Sequence, residues 1–199
     1  MPSKPFSSVQ RIGLFGGSFD PVHLGHLLVA RAAKEELGLH RLYFVPAAQS
    51  PFKPEREPTP NRERVRLLRL ALAGLEWCEL DEQELRRGGV SYTIETVRDY
   101  VARFPRAEIF YLVGADHASQ LRKWRAADEL SQLVQFVVIP RPGEPTGPLP
   151  SPFRGQQLTG FPMAVSSSQI RARVKARLPI DPLVPSSVAE AIRNYGLYL

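Results

Sequence analysis

Residues 11–26 read RIGLFGGSFDPVHLGH, and the order of residue types in this stretch decides the architecture. The first five, RIGLF, form a short apolar run that stops at Gly16-Gly17, the pattern of a buried strand running into a glycine turn. A helix should follow. Positions 23, 26, 27, 30, 33 and 37 fall on one stripe at helical spacing, and Gly38 closes it. The paired glycines let backbone N–H groups approach a bulky anion without interference from Cβ. Pro21 is tolerated in a first helical turn, and a helix N-terminus presents unpaired N–H groups and a partial positive charge. His23 and His26 share a helical face, with Gly25 leaving space above the first turn, so both imidazoles are expected to point at one phosphate. On their own, two such histidines also suit a packed core or half a metal site. His40 and His117 are not spaced to complete one, so no metal ligand is assigned. The chain carries neither Gly-x-x-x-x-Gly-Lys nor Gly-x-Gly-x-x-Gly, which implies a different phosphate cradle.

Outward from this stretch, apolar runs at 41–45 (RLYFV), 76–80, 108–113 (EIFYLV) and 134–139 (VQFVVI) read as further strands. Between them, helices are expected from Thr59-Pro60 through residue 73, over 93–104 and over most of 116–130. Alternation of nearly continuous apolar strands with helices predicts a doubly wound parallel sheet with helices on both faces. The proline-dense stretch 140–152 is expected to be an exposed loop. A small helical portion over 162–199 should complete one domain spanning 1–199. Its helices are marked by capping boxes at Ser166 to Gln169 and Ser187 to Glu190, and are closed by Pro179 and Gly196.

The 199 residues are 43% hydrophobic, enough for one sizeable core. No run approaches the roughly 18 apolar residues of a membrane span, and the first ten residues lack a signal-peptide core, so a cytoplasmic chain is expected. Its single cysteine, Cys78, allows neither an intrachain disulfide nor a thiolate cluster. The charge of +6 favours anionic partners. Two basic clusters, Arg62/Arg64/Arg66/Arg69 and Arg171/Arg173/Lys175/Arg177, read as solvated helix faces; no nucleic-acid module accompanies them, and neither nucleic acid nor membrane is an expected partner. Oligomeric state is left open.

Gly16-Gly17-Ser18-Phe19-Asp20-Pro21-Val22-His23-Leu24-Gly25-His26 resembles the signature of the HxGH nucleotidyltransferases, in the form used by bacterial nicotinate-nucleotide adenylyltransferases. Val165-Ser166-Ser167-Ser168-Gln169-Ile170-Arg171 resembles the second motif of that family, and the capping box at Ser166 marks the same place independently. The resemblance covers most of the chain and implies a Rossmann-like fold that transfers AMP from ATP to nicotinate mononucleotide, with Mg²⁺ carried by ATP; its amide or phosphopantetheine as acceptor, and a non-enzymatic nucleotide-binding protein on the same fold, stay open as alternatives. It implies that His23 and His26 hold the α- and β-phosphates in the cradle of Gly16, Gly17, Ser18 and Phe19. Ser166, Ser167, Ser168 and Arg171 would hold the β- and γ-phosphates. Gly114 and Asp116 match a Gly-x-Asp element beside the nucleotide, with Asp116 placed for ribose or metal contact. Lys53, Thr93 and Trp124 fall in the implied acceptor site, although spacing alone would put Trp124 in the core. One position departs from the pattern: Phe52 stands where the family's Pro-His-Lys or Pro-His-Arg loop has histidine, which shifts acceptor-phosphate contact onto Lys53.

Overall fold

The opening run becomes β1 (Arg11–Gly17), and the runs expected downstream become β2 (Arg41–Pro46), β3 (Cys78–Leu80), β4 (Glu108–Gly114) and β5 (Gln135–Ile139). The computed structural model describes residues 10–52, 57–140, 147–161 and 163–199. A strand not expected from the sequence, β6 (Gly155–Gln157), extends the far edge. Its residues are all exposed, so they carry no apolar pattern. Gly155 is required there, since a Cβ would fall 1.7 Å from the Phe136 carbonyl oxygen.

All pairings are parallel, in the order β3-β2-β1-β4-β5-β6. The order runs outward from β1 through β2 to β3 and then returns to the other side of β1 with β4. The carboxyl ends of β1 and β4 therefore flank the switch point, where open parallel sheets bind ligands.

Alternating strand residues supply two cores. Phe15, Leu42, Phe44, Phe110, Leu112 and Val137 face one side, packed with α1 (Leu24–Glu36), α2 (Asn61–Leu72), α7 (Ser167–Lys175) and α8 (Ser186–Asn194). Ile12, Leu14, Val45, Ile109, Val113 and Phe136 face the other, covered by α4 (Thr93–Arg103) and α6 (Ala127–Leu133). Ile170, Ile180, Val184 and Val188 belong to the same cluster as Phe15, so the later helices share the core of β1.

Several local expectations differ from what forms. The segment 116–130 is broken into α5 (Ala115–Ala118), a 3₁₀ turn (Leu121–Lys123) and α6, because Trp124 is extended and Ala126 is left-handed at φ 52. A short helix, α3 (Gln83–Arg87), went unforeseen; the Asp81 carboxylate accepts the Gln83 N–H at 3.0 Å and starts it. The Ser187 capping box does not form, since α8 starts at Ser186 with Pro185 in the N-cap position, two residues before Ser187. Residues 141–146 of the expected proline-rich loop lie outside the described residues, while 147–152 form no regular element. Among the described residues, no helix is long and apolar enough to cross a membrane.

Candidate active site

A cavity of about 770 Å³ opens at the switch point. The two motif segments, 16–26 and 163–169, bound one end, and Phe52, Thr93, Tyr111 and Trp124 bound the other. This volume is in the range of sites that enclose sizeable organic ligands.

At the glycine end, the turn is built by close approach. A Cβ on Gly16 would stand 2.6 Å from the Tyr111 hydroxyl, which in turn lies 3.2 Å from Thr93 Oγ1. The Gly25 position differs from the expected open space: a Cβ there would meet Val165 Cγ1 at 2.8 Å and the His23 ring at 3.1 Å. Gly25 thus lets the segment before α7 dock on the first turn of α1. Phe19 has its ring buried in the core against Phe15, Phe44 and His26, so only its backbone can meet a ligand.

His23 is the N-cap of α1 and His26 its third residue, so Pro21 lies outside the helix. Their rings stack with centroids 3.7 Å apart. The His23 N–H donates to His26 Nδ1 at 3.2 Å. In neutral imidazole the nitrogen opposite an acceptor carries the proton, which makes Nε2 of His26 a donor. The Leu24 N–H is held by the Leu183 carbonyl at 3.0 Å. The helix end therefore presents fewer free N–H groups than a bare terminus would.

Ser166 caps α7 through a reciprocal pair with Gln169, as expected. The Ser167 hydroxyl donates to the Pro21 carbonyl at 2.9 Å. Ser168 Oγ accepts from Arg171 Nη2 at 3.0 Å, and Arg171 Nη1 donates to the Asp20 carbonyl at 2.6 Å. Here Arg171 ties the second motif to the first from behind the cavity wall. The backbone N–H groups of Ser167 and Ser168, in the first turn of α7, lack intrahelical acceptors. Gly114 ends β4 and Asp116 lines the cavity beside His117, whose Nε2 is 3.6 Å from Asp116 Oδ2.

At the other end, Phe52 stacks on His117 at 4.6 Å and approaches Trp124 at 5.7 Å, while Tyr111 meets Trp124 edge-on at 5.9 Å. Trp124 Nε1 is buried without a hydrogen-bond partner among the described residues. Buried donors are normally paired, so this one is held available at the aromatic end. Lys53 lies outside the described residues.

Sequence reasoning missed three residues here. Glu84 reaches the cavity wall with a buried carboxyl that accepts from Thr96 at 2.5 Å. Burial raises its pKa above the ordinary carboxylate range, and hydrogen bonds from Thr96 and Ser91 only partly oppose this. Tyr111 shapes the floor under Gly16. Arg64, expected on a solvated face, is fully buried. It donates to the carbonyls of Thr59 (3.0 Å), Ser18 (2.8 Å) and Ala47 (2.8 Å) and to Asn61 Oδ1 (2.6 Å). With the Ser18 carbonyl turned to Arg64, the N–H of Phe19 on the opposite edge of that planar peptide is turned away from it. Other members of the first basic cluster form ion pairs, Arg66 half-buried with Glu63 and Arg69 at the surface with Glu82. Of these contacts, the one from Arg64 reaches a residue of the first motif, the Ser18 carbonyl.

Two helix-capping turns facing one cavity at the switch point of a parallel sheet, with an aromatic wall opposite, match the arrangement of a nucleotidyltransferase. Residues 14–173 match the cytidylyltransferase-like family. The chain is 42% identical over 191 residues to a probable nicotinate-nucleotide adenylyltransferase of Opitutus terrae, covering 94% of this chain and 97% of that one. It is 37% identical over 190 residues to the nicotinate-nucleotide adenylyltransferase of Bacillus subtilis, covering 96% and 99%. In fold it is similar to the Plasmodium falciparum nicotinic acid mononucleotide adenylyltransferase complexed with NaAD, with a TM-score of 0.78 at 17% identity over 95% of this chain and 97% of that one. The chain belongs to the cytidylyltransferase-like family and, within it, to the nicotinate-nucleotide adenylyltransferases.

Proposed function

We propose that this chain transfers the adenylyl group of ATP to the 5'-phosphate of nicotinate mononucleotide, giving deamido-NAD and pyrophosphate in NAD biosynthesis. The observation that carries this reading is one cavity joining the His23/His26 turn, the Ser166 to Ser168 turn and the Trp124 wall. The names of the near-full-length relatives support the same acceptor. An oxygen of the acceptor phosphate attacks the α-phosphorus in line; the new P–O bond forms as the bond to the β-phosphate oxygen breaks, and pyrophosphate leaves. The attacking group is already an anion, so positioning and charge neutralisation supply the catalysis. His26 Nε2–H and the Phe19 backbone serve the transferring phosphate, and the N–H groups of Ser167 and Ser168 serve the leaving end. Arg171 supports that end through Ser168. Mg²⁺ enters with ATP as part of the substrate, and Gly114 and Asp116 lie beside the nucleotide. Thr93, Trp124 and Lys53 receive the acceptor. The enzyme acts in the cytoplasm as one domain over 1–199, and its basic excess serves nucleotides rather than nucleic acid or membrane.

The test is pyrophosphate release from ATP with nicotinate mononucleotide, its amide or phosphopantetheine as acceptor. Fastest release with the acid is the expected result. Release only with phosphopantetheine would overturn the reading.

A further inference from the structure

The turn carrying Ser18, Phe19 and Asp20 is gripped by groups far along the chain. The Tyr198 hydroxyl donates to Asp20 Oδ1 at 2.9 Å, across 178 positions of sequence. The Thr59 N–H approaches Oδ2 of the same carboxylate at 3.4 Å, and Arg171 holds the Asp20 carbonyl. Asp20 is only 1% exposed, yet it borders the cavity. Phe19 at φ 46 and Tyr198 at φ 69 both occupy the left-handed region. Residues with side chains remain there only when their surroundings hold them. Burial, and then the neighbouring Asp20 charge, raise the Tyr198 pKa, so the hydroxyl keeps its proton and its role as donor.

We propose that Tyr198 is a positioning residue for ATP, fixing through Asp20 the backbone of residues 18–20 in the conformation that receives the triphosphate. Its ring does not line the cavity, so it acts on the ligand only through that turn. Arg64 orients the peptide after Ser18, and Arg171 the one after Asp20. Tyr198 and Thr59 hold the side chain between them, and without the hydroxyl the Asp20 carboxylate loses its shortest described partner. The Phe19 N–H is then presented over a wider range of angles. The inference rests on the adenylyl-transfer reading for what the turn binds.

The experiment compares wild type, Tyr198→Phe, Asp20→Asn and Tyr195→Leu by calorimetric titration with Mg-ATP, by steady-state kinetics and by thermal melts. Tyr195 lies in the same C-terminal turn after α8 but packs against Arg66, with 4.0 Å from the guanidinium carbon to its ring centroid, and so controls for loosening of that tail. In Tyr198→Phe, Kd and KM for ATP should rise on the order of tenfold while KM for the acceptor stays within about twofold. Asp20→Asn keeps an oxygen for the Tyr198 hydroxyl and should show a smaller rise of the same kind. Tyr195→Leu should leave ATP affinity unchanged. ATP affinity unchanged in Tyr198→Phe, or a loss of activity that only follows the folded fraction, would overturn the proposal. So would an equal rise in KM for both substrates. Should wild type bind ATP yet release no pyrophosphate with nicotinate mononucleotide, the functional reading fails, while the titrations still decide the role of Tyr198.

Discussion

The imidazole of His26 is locked against that of His23, 3.7 Å away between centroids, because its Nδ1 accepts the backbone N–H of its neighbour. One contact thus performs two tasks. It caps the amino end of α1, and it selects the neutral tautomer that carries its proton on Nε2.

Removing the ring separates those tasks. His26→Ala is expected to lower kcat by about 10² to 10³, the range for losing one preorganised donor, with a smaller change in ATP affinity. His26→Asn keeps an oxygen for the cap and an N–H for the phosphate, and should recover part of the rate. Steady-state kinetics paired with thermal melts check this. Unchanged turnover per folded molecule in the alanine variant removes His26 from the catalytic groups.

Trp124 offers a test of the proposed acceptor site at the aromatic end of the cavity. Trp124→Phe retains an aromatic face but loses the buried Nε1–H that has no partner among the described residues. KM for nicotinate mononucleotide should rise by about threefold to tenfold with KM for ATP unaltered. Equal kinetics in the two proteins would show that the indole nitrogen meets no ligand group.

Glu84 sets a pH dependence of stability. Its folded pKa is raised by burial, so the folded state holds the proton more tightly than the unfolded chain. That contribution is fully present below the unfolded value of about 4.3 and is lost as pH rises through the folded value. Glu84→Gln mimics the protonated form, so its Tm relative to wild type should increase as pH rises from the ordinary carboxylate range to neutrality. Thermal melts at several pH values measure the difference. A gap that stays constant or narrows would contradict the assignment.

Arg64 is a stability determinant that also joins two loops. Arg64→Ala leaves the carbonyls of Ser18, Ala47 and Thr59 without this donor, at an expected cost of at least about 3 kcal/mol. Arg64→Lys should recover little, since an ammonium lacks the planar fork that reaches several acceptors at once. Urea unfolding gives the comparison, and a lysine variant as stable as wild type would contradict this geometry.

How much of this was legible in the sequence varied with physical cause. The five strands and the helices α1, α2, α4 and α7 follow from periodicity and stop signals, which act locally. The two motifs stand out as a pair, the glycine turn after β1 and the serine cap of α7, because each is spelled within one local stretch of sequence. What escaped depends on pairing across the chain. β6 is held by backbone bonds to β5 and by a glycine that only Phe136 explains. Arg64 reads like its neighbours Arg62 and Arg66 until Ser18 and Ala47 are folded against it. Gly25 reads as room for a ligand until Val165 fills that room.

The bond from Arg171 to the Asp20 carbonyl, 151 positions away, bears on how the molecule comes into being. During synthesis the glycine turn leaves the ribosome long before the residues that grip it exist. The complete grip on that turn is therefore available only after α7 and the Tyr198 tail have been made, rather than when the motif itself appears. Conversely, a bound nucleotide opposes detachment of α7 by mass action, because only the assembled turn binds it. Hydrogen exchange should show this directly: Mg-ATP is expected to slow exchange in α7 as well as around residues 16–20, and protection confined to the glycine turn would contradict the coupling.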